Sequence, residues 1–334
     1  LLIRRRFLRA SEGAALFFLA ALRATAAPNA GPLEPAVFLA AARAGDRVVV
    51  VGERGMIRAS EDNGVSWRPA RVPTDVTLTA VRFADARTGW AVGHEGVILK
   101  TTDGGDSWSF VRGAPTPDDP AAPSNRSFYS DRAPLFDFLV LDKDRLWAVG
   151  AYGVALHSED SGITWKSVVI DRGSDFHLFA LVRDARGTLW AAGEAGALYA
   201  SRDSGRTWAA QPKLTPGSFF GAAPLDNGGV ILFGLRGRAF ARNPVNGTWK
   251  PLSGLPPRSL HGAAPAGKDV LLLGGGGGTL VFFDARSHTF QTRRLPVTRD
   301  IHCLLPVDDA RVLIFCDGET KSYSWDELRG EARP

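Results

Sequence analysis

The 334-residue chain has only two cysteines and six histidines, and none of the spacings that turn such residues into metal or redox sites. There is no Cys-x-x-Cys pair and no His-Glu-x-x-His run, which argues against the common zinc and dithiol chemistries. No Gly-x-Ser-x-Gly phrase occurs, so no nucleophile elbow is expected. The glycine run at 274–278 has no Lys-Ser/Thr after it and no helix is expected there, so it reads as a turn and not as a phosphate loop. Charge of one sign is also missing. Residues 1–26 hold five of the 40 Lys and Arg and one of the 35 Asp and Glu, leaving 35 against 34 in the remainder. That near-neutral balance gives no electrostatic footprint for nucleic acid. Neither a metal nor a cofactor is expected, and the chain is expected to be monomeric.

The N-terminus reads as an export signal. Arg4-Arg-Arg-Phe-Leu-Arg9 is similar to the twin-arginine pattern, an apolar stretch follows from Gly13 to Leu22, and Ala24-Thr-Ala26 has the form of a cleavage site. Ten apolar residues are too few for a bilayer core of about 30 Å. Residues 1–26 are therefore assigned to a signal peptide and 30–334 to one folded domain. Export places the protein in the periplasm, or peripherally on a membrane if the signal is retained.

What the chain has in abundance is repetition. Ser60-Glu-Asp-Asn-Gly-Val-Ser-Trp67 recurs as Thr101-Thr-Asp-Gly-Gly-Asp-Ser-Trp108, Ser158-Glu-Asp-Ser-Gly-Ile-Thr-Trp165 and Ser201-Arg-Asp-Ser-Gly-Arg-Thr-Trp208, with worn copies at Trp249 and Phe290. The closing aromatics are 41, 57, 43, 41 and 41 residues apart, the period of a β-propeller blade. Upstream of each copy sits Gly-x-x-Gly: Gly52–Gly55, Gly93–Gly96, Gly150–Gly153, Gly193–Gly196, Gly234–Gly237 and Gly274–Gly277, with the seventh register near Phe315. Four short strands fit each unit, which predicts an all-β, seven-bladed propeller of four-stranded blades. Residues 30–38 are expected to complete the last blade from outside and so close the ring.

The recurring acidic phrase, an Asp-box, has a structural job. Asp62, Asp103, Asp160 and Asp203 are expected to bond the local backbone, the box glycine to take a positive φ, and Trp67, Trp108, Trp165 and Trp208 to be buried. Strand alternation then puts these turns on one face of the disc and the Gly-x-x-Gly turns on the other. The latter carry varied side chains, among them Arg54, His94, Glu95, Tyr152 and Arg236, and variation on a rigid scaffold marks a binding face. The 57-residue step adds about 16 residues to the same face within 113–134, where Arg126, Phe128, Tyr129 and Arg132 form a mixture typical of contact hot spots. Together these nine side chains are the candidate partner-binding set. Cys303 and Cys316 flank the Asp308–Arg311 turn symmetrically, which allows a cross-strand disulfide or two buried thiols.

Seven units, several with Asp-boxes, and phrases such as Val92-Gly-His-Glu-Gly-Val-Ile-Leu-Lys-Thr-Thr-Asp-Gly-Gly-Asp-Ser-Trp108 make the chain similar to the photosystem II stability/assembly factor-like propellers. The resemblance is dense from about residue 35 to Trp208 and thin beyond. It implies a non-enzymatic protein that holds a subunit of a membrane or envelope complex during assembly through arginines on the loop face, of which Arg54, Arg126, Arg132 and Arg236 are available. The alternative is an Asp-box glycoside hydrolase or carbohydrate-binding propeller. A sialidase would need a Tyr–Glu pair, and Tyr129, Tyr152, Tyr199 and Tyr323 are the only tyrosines.

Overall fold

The computed structural model describes residues 31–113, 132–296 and 299–330; the expected signal peptide and most of the expected insert, with Arg126, Phe128 and Tyr129, lie outside them. Seven antiparallel sheets are arranged in a ring, six with four strands and the last, among the described residues, with three. The innermost strands are Phe38–Ala44, Leu78–Phe83, Leu135–Val140, Leu178–Arg183, Phe219–Pro224, Leu260–Pro265 and Ile301–Pro306, each packed on the next and the seventh on the first. The next strands outward, such as Arg47–Gly52, Leu146–Gly150 and Val230–Gly234, are almost wholly buried. A blade interior is covered on both faces, so these strands read as continuous apolar runs and do not alternate.

The Asp-box turns hold neighbouring blades together. Ser66, Ser107, Thr164 and Thr207 donate their backbone N–H to Asp62, Asp103, Asp160 and Asp203 at 2.8, 3.0, 2.8 and 2.9 Å, and their hydroxyls donate to the second carboxylate oxygen. The box glycines have φ of 78–94° and lie against the preceding blade: a Cβ on Gly205 would come within 2.1 Å of Trp147, and one on Gly162 within 2.5 Å of Trp90. The box tryptophans do the same, Trp67 edge-on to Phe315 at 6.4 Å and Trp208 edge-on to Trp147 at 5.6 Å; Trp67 and Trp108 are buried as expected, whereas Trp165 and Trp208 are only half-buried. Their hydrophobic contact therefore spans blades rather than strands.

The hydrogen bonds to Asp160 and Asp203, those from Thr164 and Thr207 foremost, lower both carboxyls from the ordinary 3.8 to about 2. A depressed native pKa adds stability above the unfolded value that is lost as pH falls through the native one. Thermal melts should therefore lose stability between about pH 4 and pH 2, and the Asp160→Asn/Asp203→Asn double variant should flatten that limb. An unchanged acid limb in the double variant would assign the loss to other groups.

Two further expectations are corrected. Residues 31–38, the described part of the expected 30–38 segment, do not join the seventh sheet. Gly31 forms an isolated bridge to Trp67 in the first blade, with N–O distances of 2.9 and 2.7 Å, and the short helix Trp325–Arg329 packs into the core shared by blades six and seven. The sixth turn is displaced by one residue: Gly275, not Gly274, ends the second strand opposite Leu260, and the seventh equivalent is Cys316 opposite Ile301. Of the two readings left open for the cysteines, the free thiols are the one observed, Cys316 buried and Cys303 half-buried. Their hairpin pairs Cys303 with Phe315, and a one-residue offset in register turns a side chain to the other face. Cys316 lies in the cluster with Val312 and Ile314, Cys303 against the one with Leu313 and Phe315.

Candidate functional site

Each Gly-x-x-Gly turn does two things. Its first glycine ends the second strand in extended backbone where the incoming connector passes closely. A Cβ would meet the Val37 carbonyl oxygen at 2.1 Å from Gly52, that of Thr77 at 2.3 Å from Gly93 and that of His177 at 1.9 Å from Gly193. The same oxygens accept the next N–H in each turn, Glu53 at 3.1 Å, His94 at 2.9 Å and Glu194 at 2.8 Å. The chain then reverses with two consecutive residues at positive φ, closed by bonds such as Met56 N–H to Glu53 O at 3.0 Å, which is type I′ geometry. The first of the two is Arg54, Glu95, Tyr152, Ala195 or Arg236 at φ 50–56°, an uncommon conformation for side chains of that kind. Arg54, His94, Glu95, Tyr152 and Arg236 are all exposed at these turns; His94 and Glu95 share one turn and the others lie a blade or more away, so the set encircles the rim and does not gather. Arg132 is exposed just before the third inner strand.

The channel mouth inside that rim is where side chains converge. Every inner strand carries a β-bulge one residue after it begins, and the extra residues are Leu39, Thr79, Phe136, Phe179, Phe220, His261 and His302. A bulge breaks the in–out alternation and re-aims a side chain. All seven line a central cavity of about 620 Å³ and are half-buried. From the third blade onward the rings touch in sequence. Phe136 lies 5.2 Å from Phe179, Phe179 edge-on to Phe220 at 5.8 Å, Phe220 stacked on His261 at 5.5 Å, and His261 is 6.2 Å from His302. Tyr152 extends the arc outward, edge-on to His177 at 4.9 Å; its backbone N–H donates to His177 Nδ1 at 3.0 Å, which fixes that nitrogen as the acceptor.

The electrostatics are divided by sector. In the cavity wall Arg82 meets Asp137 at 3.1 Å, and Asp137 also accepts the Leu181 N–H at 2.9 Å; burial holds its carboxyl above the usual range despite the arginine. The other carboxylates of the cavity are engaged too, Asp269 with Arg286 and Asp226 with the Asp269 N–H at 2.8 Å. Burial, then the neighbouring His302, lowers the pKa of His261 and favours its neutral ring. On the rim of blades five to seven, Arg258, Arg294 and Arg299 join Arg236; all four are exposed, and among the described residues none forms an ion pair. Arg294 reaches the Gly277 carbonyl at 3.2 Å and Arg299 the Asp317 carbonyl, which places them at the same turns.

Neither the aromatic arc nor the three added arginines was read from the sequence. The signal for the arc was present, an apolar residue followed by an aromatic or histidine at 135–136, 178–179, 219–220, 260–261 and 301–302.

Fold and site together define a seven-bladed Asp-box β-propeller with an aromatic channel mouth and a basic sector on the face opposite the boxes. The chain belongs to the photosynthesis system II assembly factor YCF48 family, whose model matches residues 59–308. It is 26% identical over 128 residues to the photosystem II assembly lipoprotein Ycf48 of Synechococcus sp. (strain CC9902), an alignment covering 36% of this chain and 33% of that protein. A 47-residue stretch is 38% identical to the chloroplastic photosystem II stability/assembly factor HCF136 of Cyanidioschyzon merolae, covering 14% of this chain and 11% of that one. The alignments thus span a third or less of these relatives. Among solved structures, YCF48 bound to D1 peptide superposes with a TM-score of 0.68 at 20% identity, covering 89% of this chain and 94% of the other. YCF48 from Cyanidioschyzon merolae gives 0.66 at 18% identity, covering 90% and 99%. At such identities the likeness is one of fold.

Proposed function

We propose that the protein is a non-enzymatic assembly or stability factor that holds an acidic segment of a membrane or envelope protein across the Gly-x-x-Gly face. The observation carrying this reading is the sector of four exposed arginines, Arg236, Arg258, Arg294 and Arg299, that have no carboxylate partner among the described residues, beside the channel mouth. Guanidinium groups favour carboxylates through forked hydrogen bonds, and leaving several unpaired on one rim favours an acidic partner. That a family neighbour is a YCF48 bound to a D1 peptide makes a peptide segment a reasonable form for the partner. The arginine-rich start of the chain supports export, with the propeller working at a membrane surface; among the described residues no helix is long and apolar enough to cross one. The glycosidase alternative has less support, because the cavity carboxylates are committed to arginines or backbone N–H groups.

Capture from detergent-solubilised envelope tests this directly. The Arg236→Glu/Arg258→Glu variant should retain its melting temperature and lose capture of its membrane-protein partner by roughly 10–100-fold, because both the attraction and the contact are reversed. Arg206→Glu, on the Asp-box face, should leave capture unchanged. Capture insensitive to the first pair, or turnover of fluorogenic glycosides, would overturn the reading.

A further inference from the structure

We propose that the channel mouth seats one aromatic side chain of the captured segment, tyrosine or tryptophan in preference to leucine, against Phe179 and Phe220, with His261 bonding its hydroxyl or indole N–H. The inference rests on the reading that this face captures a peptide, and names the side chain that the face selects.

The bulges make the pocket. In an unbulged strand the residue after Leu178 or Phe219 would follow the alternation into a blade interface; here the extra residue faces the axis instead. The rings of Phe179 and Phe220 are thereby half-buried against each other while lining a cavity of about 620 Å³, ample for one aromatic side chain. The wall below them is small: Gly221, Ala222 and Gly262 carry no bulk into the space. Offset and edge-on ring contacts are the favoured geometries, and the arc already sets its rings at those angles, 73° between Phe179 and Phe220.

His261 gives the pocket its polar choice. Its ring stacks on Phe220 at an interplanar angle of 15°, and among the described residues neither ring nitrogen takes a hydrogen bond. A ligand covering it must supply a partner or leave it unsatisfied, and tyrosine or tryptophan can supply one where phenylalanine cannot. The Arg82–Asp137 pair opposite is mutually satisfied and asks for no charge. Charge complementarity belongs to the rim, where the arginines call for acidic residues flanking the ring. The occupant is thus an aromatic residue in an acidic segment.

The test uses the whole protein with N-acetyl-L-tyrosinamide, N-acetyl-L-phenylalaninamide and N-acetyl-L-leucinamide, read by saturation-transfer NMR. Transfer should be strongest to the tyrosine ring, roughly tenfold weaker binding is expected for phenylalaninamide, and leucinamide should give none. His261→Phe should abolish the preference for tyrosine over phenylalanine, Phe220→Ala should weaken both, and excess N-acetyl-L-tyrosinamide should compete with capture of the membrane partner. Equal transfer to leucinamide, or a tyrosinamide signal unaffected by a folded Phe220→Ala variant, overturns the pocket. Capture unaffected by both Phe220→Ala and competing tyrosinamide overturns its role in holding the segment. The Arg236→Glu/Arg258→Glu variant separates the two readings: it should lose capture while keeping tyrosinamide binding, so failure of the rim and failure of the pocket give different results.

Discussion

Gly193→Ala should lower stability by about 3–5 kcal/mol, one of the largest single-methyl effects available in this fold. The added Cβ would stand 1.9 Å from the His177 carbonyl oxygen and 2.9 Å from Leu178 Cα, both backbone atoms that cannot rotate away. Relief requires the connector to lift, which breaks the Glu194 N–H to His177 O bond of 2.8 Å and leaves both groups unsatisfied at a blade edge. The damage would reach the channel mouth, because Glu194 accepts the His177 N–H at 3.1 Å and His177 in turn accepts the Tyr152 N–H at 3.0 Å. Gly173→Ala is the matched control. Its nearest neighbour would be a carboxylate oxygen at 3.5 Å, so the change should stay within about 0.5 kcal/mol. Urea melts of the two variants check the comparison, and equal midpoints would mean that the close approach at Gly193 carries no structural load.

That glycine also marks how far the fold was legible in the sequence. Period, strand order and the separation of the two faces follow from motifs that recur because each blade needs the same reversal and the same close approach. The register failed where the repeat lost its landmarks. Five consecutive glycines at 274–278 cannot show which one faces the connector, and the symmetric placing of Cys303 and Cys316 assumed a hairpin centred one half-residue from the actual one. The channel mouth was hidden for a different reason. A bulge changes where a residue points without changing the spacing of the repeat, so Leu178-Phe179 and Phe219-Phe220 read as ordinary strand hydrophobics. The rim arginines at 258, 294 and 299 fall in connectors and an outer strand, outside the phrase that identified Arg236, and only the folded chain brings them to one sector.

Asp103→Ala should cost about 2–4 kcal/mol and leave partner capture intact. The carboxylate accepts the Ser107 N–H at 3.0 Å, the Thr101 hydroxyl at 2.8 Å and the Ser107 hydroxyl, and hydrogen bonds to an ionised acceptor are worth more than neutral ones. Its removal leaves the turn N–H groups without acceptors and loosens Gly105, whose backbone oxygen accepts the Trp108 indole N–H at 3.1 Å. The neighbouring blade would be affected as well, since Arg47 reaches across to the Gly104 oxygen and to Asp106, both at 3.0 Å, while its other nitrogen holds Glu61 at 2.7 Å. Asp62→Ala, in a more exposed box, should cost less, and Asp103→Asn, which keeps one acceptor oxygen, should fall between. The absence of a capture defect is the more telling half of the expectation. These carboxylates sit on the face opposite the arginine sector, so stability and binding should separate, with Asp103 variants moving the denaturation midpoint and Arg236 variants moving capture. A loss of capture in Asp103→Ala, measured well below its melting temperature and without a stability change, would place recognition on the Asp-box face and reverse the assignment of the two sides of the disc.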